Sequence, residues 1–260
     1  MKKEFLNGGN DVVALVDMDY VHEKGGRVVV VSDIHGNLDA FCRFLNDNQV
    51  TMDDLIVFNG DAIDRGPEGV ALLRWAKNTP NVLFLKGNHE ELMLDALEEM
   101  QYRENGPKMR CWIGNGGQPT LDGLCQLSKK EYVELIDWVK HSPYVAIVQS
   151  YRWQHVTYVT HANLSQKSME CVVKGKIPYF WENGVELNAL TWERPERLTN
   201  EVGGILITGH TSTHYYGAPK GEAIFDCYCN RAIIDCATFR TNKVGYVNLL
   251  VGERIQFGSC

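Results

Sequence analysis

Three short apolar runs, spaced at nearly equal intervals, constrain the fold of this 260-residue chain more than any other feature. The runs cover residues 28–31, 55–58 and 82–85, and they consist of Val, Leu, Ile and Phe. Runs of this kind are typical of strands that are buried on both faces. Each is followed by a polar loop that contains glycine and then by apolar residues at helical spacing. Three consecutive βα units predict a parallel sheet with helices packed against it.

The rest of the chain shows a helical part followed by a series of strands. Residues 100–142 have a helical pattern that breaks at 114–117, where the sequence reads Gly-Asn-Gly-Gly. Further strands are predicted at 12–20, 144–149, 156–160, 205–208, 231–235 and 244–251. The segment 163–190 is predicted to be irregular and to lie over a cleft formed where the strands end. Because no linker rich in Pro, Ser or Gly divides the chain, we expect one catalytic domain over 27–260, preceded by an N-terminal extension over 1–26.

Charge and hydropathy exclude several classes of protein. Lys and Arg total 26 against 33 Asp and Glu, so the net charge is −7 and the chain lacks the surplus of cations that non-specific nucleic-acid binding requires. No apolar run is longer than five residues, so no membrane partner is expected. The eight cysteines form no C-x-x-C pair and no apolar leader follows the first lysines, which predicts reduced thiols and a cytoplasmic protein. The oligomeric state stays open.

Polar residues follow each of the three runs at the point where a strand is expected to end. The first run leads into Asp-Ile-His-Gly at 33–36, the second into Gly-Asp-Ala-Ile-Asp-Arg-Gly at 60–66, and the third into Gly-Asn-His-Glu at 87–90. Two later strands end in His161 and His210. Strand ends of α/β sheets meet at one edge, where ligands bind. Singly these are ordinary turn residues, but together they predict a site for divalent ions such as Mn, Fe or Zn.

The five motifs D-x-H, G-D-x-x-D-R-G, G-N-H-E, H-A and G-H-T, in this order, resemble those of the calcineurin-like metallophosphoesterases. Within that superfamily the chain resembles the serine/threonine protein phosphatase branch, especially its small bacterial and phage lambda-type members. Trp-Ile-Gly-Asn-Gly-Gly at 112–117 and Trp-Glu-Arg at 192–194 extend the similarity. The resemblance implies an α/β (α+β) fold, a four-layer sandwich of two mixed β-sheets flanked by helices. The chain departs from the pattern at 235–237, where it reads Asp-Cys-Ala instead of Asp-Thr-Gly.

The resemblance also implies a role for each matching residue. It implies two divalent metal ions, with Mn expected in vitro and Fe or Zn as native alternatives, and with Asp61 shared by both ions. The implied metal ligands are Asp33, His35, Asp61, Asn88, His161 and His210. His89 would be the catalytic acid, oriented by Asp64. The implied phosphate-binding residues are Arg65, Arg194 and Asn88. Arg197 remains an alternative to Arg194, since it lies close to it in the chain.

The implied activity is hydrolysis of a phosphomonoester, in phosphoserine or phosphothreonine of proteins, by direct attack of a metal-bridging hydroxide. A symmetrical dinucleoside tetraphosphatase, or another nucleotide phosphohydrolase, is the alternative enzyme because it shares the fold and most of the ligands. Asp64 and the ending Gly-Asn-His-Glu favour the phosphatase. A binding protein without catalysis is a third hypothesis, which is disfavoured because no implied ligand is missing. The substrate would be a phosphorylated protein or a small phosphoester.

Acidic residues dominate the helix predicted after the third run. They are Glu90, Glu91, Asp95, Glu98 and Glu99. A charge run of this kind is most simply interpreted as a solvent-exposed helix face.

Overall fold

The computed structural model describes residues 6–152, 154–250 and 255–260. The strands are β1 (Leu6–Gly9), β2 (Val13–Asp17), β3 (Val28–Val31), β4 (Leu55–Asn59), β5 (Val82–Leu85), β6 (Val145–Ser150), β7 (His155–Thr160), β8 (Tyr179–Glu182), β9 (Val185–Asn188), β10 (Ile205–Thr208), β11 (Ile224–Asp226), β12 (Arg231–Ile233), β13 (Gly245–Leu249) and β14 (Ile255–Ser259). The helices are α1 (Met18–Glu23), α2 (Leu38–Asp47), α3 (Gly69–Asn78), α4 (Asn88–Met100), α5 (Pro107–Gly114), α6 (Gln118–Cys125), α7 (Lys129–Lys140), α8 (Gln166–Val172), α9 (Ala189–Trp192) and α10 (Thr238–Thr241), with a 3₁₀ turn at Thr213–Tyr216.

The three predicted βα units form the smaller of two mixed sheets. Its strand order is β14-β13-β3-β4-β5, and β3, β4 and β5 are parallel to one another. The alternation of side chains along β3 explains why its sequence is apolar throughout. Val29 and Val31 pack against the layer formed by α2 to α7, whereas Val28 and Val30 face the other sheet. The βα prediction is therefore confirmed.

The larger sheet has seven strands in the order β1-β2-β6-β7-β10-β12-β11. On one face it packs against the smaller sheet, for example through Val148 of β6 and Ile207 of β10. On its outer face Leu206 packs with Val172 of α8 and Leu190 of α9. The layers are thus helices, sheet, sheet and helices, which confirms the expected sandwich of two mixed sheets flanked by helices.

The beginning of the chain contributes to this sheet. β2 pairs in parallel with β6, and Val13 and Val16 are buried. The strand predicted over 12–20 ends earlier, at Asp17, because the Asp17 side chain accepts a hydrogen bond from the Tyr20 N–H and so caps α1. The boundary between 1–26 and 27–260 stays a prediction.

Two further predictions can be compared with the observed elements. The helical part is confirmed as α5, α6 and α7, with its break at 115–117. The prediction of an irregular stretch over 163–190 is wrong, since that segment contains α8 and the two-stranded sheet of β8 and β9. The strand predicted at 244–251 ends at Leu249, and residue 251 lies outside the described residues. Among the described residues, no helix combines the length and the apolar character that crossing a bilayer requires.

Candidate metal centre

The strand ends of both sheets bring the predicted ligands to one edge of the sandwich. Residues after β3, β4 and β5 come from the smaller sheet, and residues after β7 and β10 come from the larger one. All of these side chains are buried: Asp33, His35, Asp61, Asp64, Asn88, His89, His161 and His210. Titratable groups are rarely buried together unless they are paired or bind an ion, so the cluster calls for a functional explanation.

The backbone at this edge is unusually constrained. Left-handed φ angles between 49° and 69° occur at six of these strand-end residues: Asp33, His35, Asp61, Asp64, Arg65 and His210. Residues other than glycine rarely adopt this backbone conformation, and it persists only where surrounding contacts hold it. Here the His35 N–H donates to the Asp61 carbonyl at 2.9 Å, and the Arg65 N–H donates to the Gly116 carbonyl at 2.8 Å. The loops therefore fix each other.

Asp61 lies at the centre of the cluster. Its Oδ1 is 3.3 Å from His161 Nε2, and its Oδ2 is 3.5 Å from His35 Nε2. Among the described residues, two groups have ligand atoms close enough together to hold an ion, within 4.8 Å of one another: His35, Asp61 and His89 form one, and Asp61, His161 and His210 form the other. Asp61 belongs to both groups, which is the arrangement that a shared ligand requires.

Asn88 joins the second group through its amide oxygen. Asn88 Oδ1 is 3.1 Å from His161 Nε2 and 2.9 Å from His210 Nδ1. The other ring nitrogen of His210, Nε2, is buried and has no hydrogen-bond partner among the described residues. On its Nδ1 side, His210 shares the Asn88 amide oxygen with His161, which itself lies 3.3 Å from the Asp61 carboxylate, and imidazole, amide and carboxylate groups together fit the donor set of a divalent cation.

Asp33 reaches the same edge but belongs to neither of the two groups found among the described residues. Its carboxylate accepts the His210 N–H at 3.2 Å and the Ser32 hydroxyl. Burial, together with the nearby charge of Asp235, raises the pKa of Asp33 well above its ordinary value. A bound cation would counteract both effects. His89, expected as the catalytic acid, takes the place in the first group that was expected for Asp33.

The pair formed by Asp64 and His89 is the shortest ionic contact of the site. Asp64 Oδ2 lies 2.6 Å from His89 Nδ1, and both side chains are buried. Burial disfavours the protonated ring, but the Asp61 charge and the hydrogen bond to Asp64 outweigh it, so the pKa of His89 is raised. Because Asp64 occupies Nδ1, the Nε2 atom of His89 is the one that faces the ligand groups.

Sequence reasoning missed the residues that hold Asp64. Trp112 Nε1 donates to both carboxylate oxygens at 3.0 and 3.1 Å, and Thr120 Oγ1 donates to Oδ1 at 2.7 Å. Trp112 lies on α5 and Thr120 on α6, so these two helices hold Asp64 in place beside His89. The turn between the two helices packs closely on Trp112, because a Cβ on Gly117 would lie 2.6 Å from Trp112 Nε1. The Trp-Ile-Gly-Asn-Gly-Gly motif was the available signal.

The prediction of a solvent-exposed acidic face on α4 is wrong for three of its five residues. Glu90 is fully buried, and its carboxylate accepts hydrogen bonds from the N–H groups of Asp61, Ala62 and Gly87 at 2.8–3.0 Å. Burial and the Asp61 charge raise the pKa of Glu90 to about 7. Glu91 is partly buried, and Glu99 accepts the Met109 N–H at 3.0 Å. Glu90 therefore supports the backbone of the loop that carries Asp61.

Arg65 lies at the exposed side of the cluster. Its Nη1 is 2.7 Å from His35 Nε2 and its Nη2 is 3.0 Å from His89 Nε2. The guanidinium also stacks on Phe239, 4.6 Å from the ring centre, a contact that sequence reasoning did not predict. A planar guanidinium at this place can bind a phosphoryl group through two parallel hydrogen bonds.

Arg194 follows α9 and lies close enough to His210 for its charge to act there. Burial is the main cause that lowers the pKa of His210, and the charges of His161 and Arg194 lower it further. The neighbouring Trp192 ring packs edge-on against His210, with 6.1 Å between ring centres. Arg197, the alternative, is exposed and has no ion pair or hydrogen bond among the described residues. Arg194 is likewise exposed, and its charge effect on His210 is what favours it, so its assignment stays a prediction.

Comparison with known proteins identifies a matching family and similar proteins for this chain. The family model described as calcineurin-like phosphoesterase matches residues 26–237. Serine/threonine-protein phosphatase 2 of Salmonella typhimurium is 27% identical over 227 residues, which cover 86% of this chain and 93% of that protein. Serine/threonine-protein phosphatase 1 of the same organism is 31% identical over 192 residues, 71% of this chain and 76% of that protein.

Two other similarities bear on the fold and on the alternative activity. A solved structure of a protein serine/threonine phosphatase from Saccharomyces cerevisiae aligns with a TM-score of 0.58 at 12% identity, over 96% of this chain and 84% of that one. At this identity the likeness concerns the fold alone. A symmetrical bis(5′-nucleosyl)-tetraphosphatase of Dechloromonas aromatica is 32% identical over 117 residues, 44% of this chain and 37% of that protein.

Proposed function

The chain belongs to the calcineurin-like phosphoesterase family, and on that premise we propose that this hydrolase removes phosphate from phosphoserine and phosphothreonine in proteins. The observation that carries the proposal is the position of His89. Its Nδ1 is held by Asp64, while its Nε2 faces Arg65 and lies 3.9 Å from the central carboxylate of Asp61. A proton donor, an anion-binding group and a ligand cluster thus converge on one point, as removal of a phosphoryl group requires.

Enzymes of this family use divalent metal ions, and the donor set described above fits them. We propose two ions, Mn in vitro and Fe or Zn natively. The first would be held by Asp33, His35 and Asp61, and the second by Asp61, Asn88, His161 and His210. When bound, such ions supply positive charge next to the phosphoryl oxygens and lower the pKa of water, so that hydroxide is available near neutral pH.

The side chains of the chain itself bind and orient the substrate. The Arg65 guanidinium is exposed and binds the phosphoryl oxygens, and Arg194 approaches from the His210 side. His89 carries a proton on Nε2 when charged, and it donates this proton to the oxygen of the departing serine or threonine. Asp64 keeps the other ring nitrogen occupied, so the ring presents Nε2 to the leaving group. No phosphorylated enzyme intermediate is needed, so no serine or cysteine nucleophile is invoked.

A comparison of three substrates tests this proposal. The purified protein, loaded with Mn, is assayed on p-nitrophenyl phosphate, on a panel of phosphoserine and phosphothreonine peptides, and on diadenosine tetraphosphate. We expect the best phosphopeptide to have a higher kcat/KM than diadenosine tetraphosphate. The Asp61→Asn variant, which removes the shared charge, serves as the inactive control. Turnover of the dinucleotide with no turnover of any phosphopeptide would overturn the proposal.

The same assay decides the alternative activity. The relative from Dechloromonas aromatica keeps a symmetrical dinucleoside tetraphosphatase in consideration. Against it stand Asp64, whose carboxylate is bound by Trp112 and Thr120, and the Glu90 that ends the Gly-Asn-His-Glu motif. Both residues are built into hydrogen-bond networks at the site, and both fit the phosphatase branch.

A further inference from the structure

The segment that delivers Arg194 depends on a few contacts for its position. α9 has only four residues, and a helix of that length is not stable by itself. It follows the hairpin of β8 and β9, a separate two-stranded sheet outside the sandwich. Trp192, its last residue, packs against the His210 ring, and Arg194 follows two residues later, where its charge acts on His210. What holds α9 therefore determines how this side of the site is arranged.

Glu91 makes the contacts that hold α9 from the side of α4. Its Oε1 accepts the Asn188 Nδ2 hydrogen at 2.8 Å, and its Oε2 accepts the Thr191 hydroxyl. The Tyr144 hydroxyl is close enough to the same carboxylate to lower its pKa. Asn188 is the N-cap of α9, and its Oδ1 accepts the Leu190 N–H at 3.0 Å. One amide thus caps the helix with its oxygen and fastens it to Glu91 with its nitrogen.

The opposite side of α9 is bound to the end of β7. The Leu190 carbonyl accepts the Ala162 N–H at 2.7 Å and the Thr160 hydroxyl at 3.2 Å. Ala162 directly follows the ligand His161 in the chain. On α4, Glu91 lies three residues after Asn88 and therefore on the same helix face. α9 thus connects the elements that supply Asn88, His161 and His210.

We propose that Glu91 is a positioning residue for the phosphate-binding side of the site, because its carboxylate sets α9 and thereby Trp192 and Arg194 beside His210. The proposal rests on the proposed function, since it concerns the binding of a phosphoryl group. It is specific to Glu91, because the preceding Glu90 faces the Asp61 loop instead. A residue with a purely structural role would change stability without changing phosphate affinity.

The first test compares Glu91→Gln with Glu98→Gln. Glutamine keeps the shape of the side chain, but its amide nitrogen would meet a donor, so at least one hydrogen bond to a charged acceptor is lost. Losing one hydrogen bond to a charged group typically changes an equilibrium constant by about 10-fold or more. We expect KM for a phosphopeptide and the inhibition constant of inorganic phosphate to rise about 5- to 30-fold, with metal content unchanged. Glu98 is exposed on the same helix. Glu98→Gln removes the same charge, so its KM and its phosphate inhibition constant should match those of the wild type.

A double-mutant cycle shows whether Glu91 acts through Arg194. If it does, Glu91→Gln should raise KM by less than about 2-fold in an Arg194→Ala background, because the group being positioned is already absent. Full additivity of the two substitutions would overturn the proposal. A combined Glu91→Gln and Asn188→Asp variant should recover most of the affinity. In that pair the new amide donates to the new carboxylate, which can still accept the Leu190 N–H.

Hydrogen exchange gives a readout that does not depend on activity. In Glu91→Gln the amides of Leu190 and Ala162 should exchange at least about 10-fold faster than in the wild type, whereas Glu98→Gln should leave them unchanged. If the wild type cleaves phosphopeptides but Glu91→Gln changes neither KM nor the amide exchange rates, the positioning role is wrong and the proposed function stands. If the wild type cleaves no phosphoester but the exchange of α9 responds as expected, the anchor is supported and the proposed function fails.

Discussion

Replacing Asp64 by asparagine tests the proposed catalytic role of the Asp64–His89 pair most selectively. The carboxylate of Asp64 is fully buried and accepts hydrogen bonds from His89, Trp112 and Thr120. An asparagine can still accept from His89 through its oxygen, but it carries no charge to stabilise the protonated ring. The lost charge-assisted bond is worth about 1.5–3 kcal/mol, which corresponds to about 10- to 150-fold in rate. The pKa of His89, which is raised in the wild type, should fall in the variant.

The expected loss depends on the leaving group. On phosphoserine peptides kcat should fall about 10- to 150-fold, because the serine alkoxide needs the proton of His89. On p-nitrophenyl phosphate the loss should be less than about 5-fold, since p-nitrophenolate leaves without protonation. Steady-state kinetics on both substrates, with metal content measured in parallel, provide the assay. Equal losses on the two substrates would refute the reasoning, because they would show that Asp64 supports the site as a whole and not proton transfer.

Three further outcomes follow from the same geometry. Arg194→Ala should lower kcat/KM for a phosphopeptide about 10- to 150-fold and weaken inhibition by phosphate, whereas Arg197→Ala should stay within about 2-fold; the reverse result would show that the wrong arginine was assigned. Thr120→Val should reduce kcat on phosphoserine peptides, but less than Asp64→Asn does, since one of several donors to that carboxylate is lost. Arg231→Met should lower the free energy of unfolding by about 2–4 kcal/mol in urea titrations. The reason is that the buried guanidinium donates to four acceptors, which lie after β7, in β10 and at residue 199. A change below about 0.5 kcal/mol would contradict this expectation.

The parts of the fold that the sequence predicts are those that depend on local pattern. The run at 28–31 is apolar throughout because one side of β3 faces the helices and the other faces the second sheet. Its neighbours at 55–58 and 82–85 follow the same rule, so the parallel order and the common edge were predictable. The position of Asp61 at the centre of the ligand cluster also follows from its place after the middle strand.

The remainder depends on contacts between elements that are distant in the chain. Glu90 and Glu91 look like part of an exposed acidic face, yet the first turn of α4 lies against the Asp61 loop and α9. Their burial follows from where the helix starts and not from its periodicity. Trp112 and Thr120 reach Asp64 because α5 and α6 fold back over the loop after β4. The motif at 112–117 marks Trp112, but no spacing in the sequence encodes these distances, so the contacts that hold the site could not be predicted.

The central claim is that one edge of the sandwich holds two metal ions that share Asp61. The most direct measurement is the metal content of the Mn-saturated protein, determined by elemental analysis after removal of free ions, in the wild type and in Asp61→Asn. The geometry of the two ligand groups predicts two ions per chain in the wild type and at most one in the variant. It also predicts that a chelator abolishes phosphatase activity and that added Mn restores it. One ion or none in the wild type, with activity unaffected by the chelator, would contradict the account.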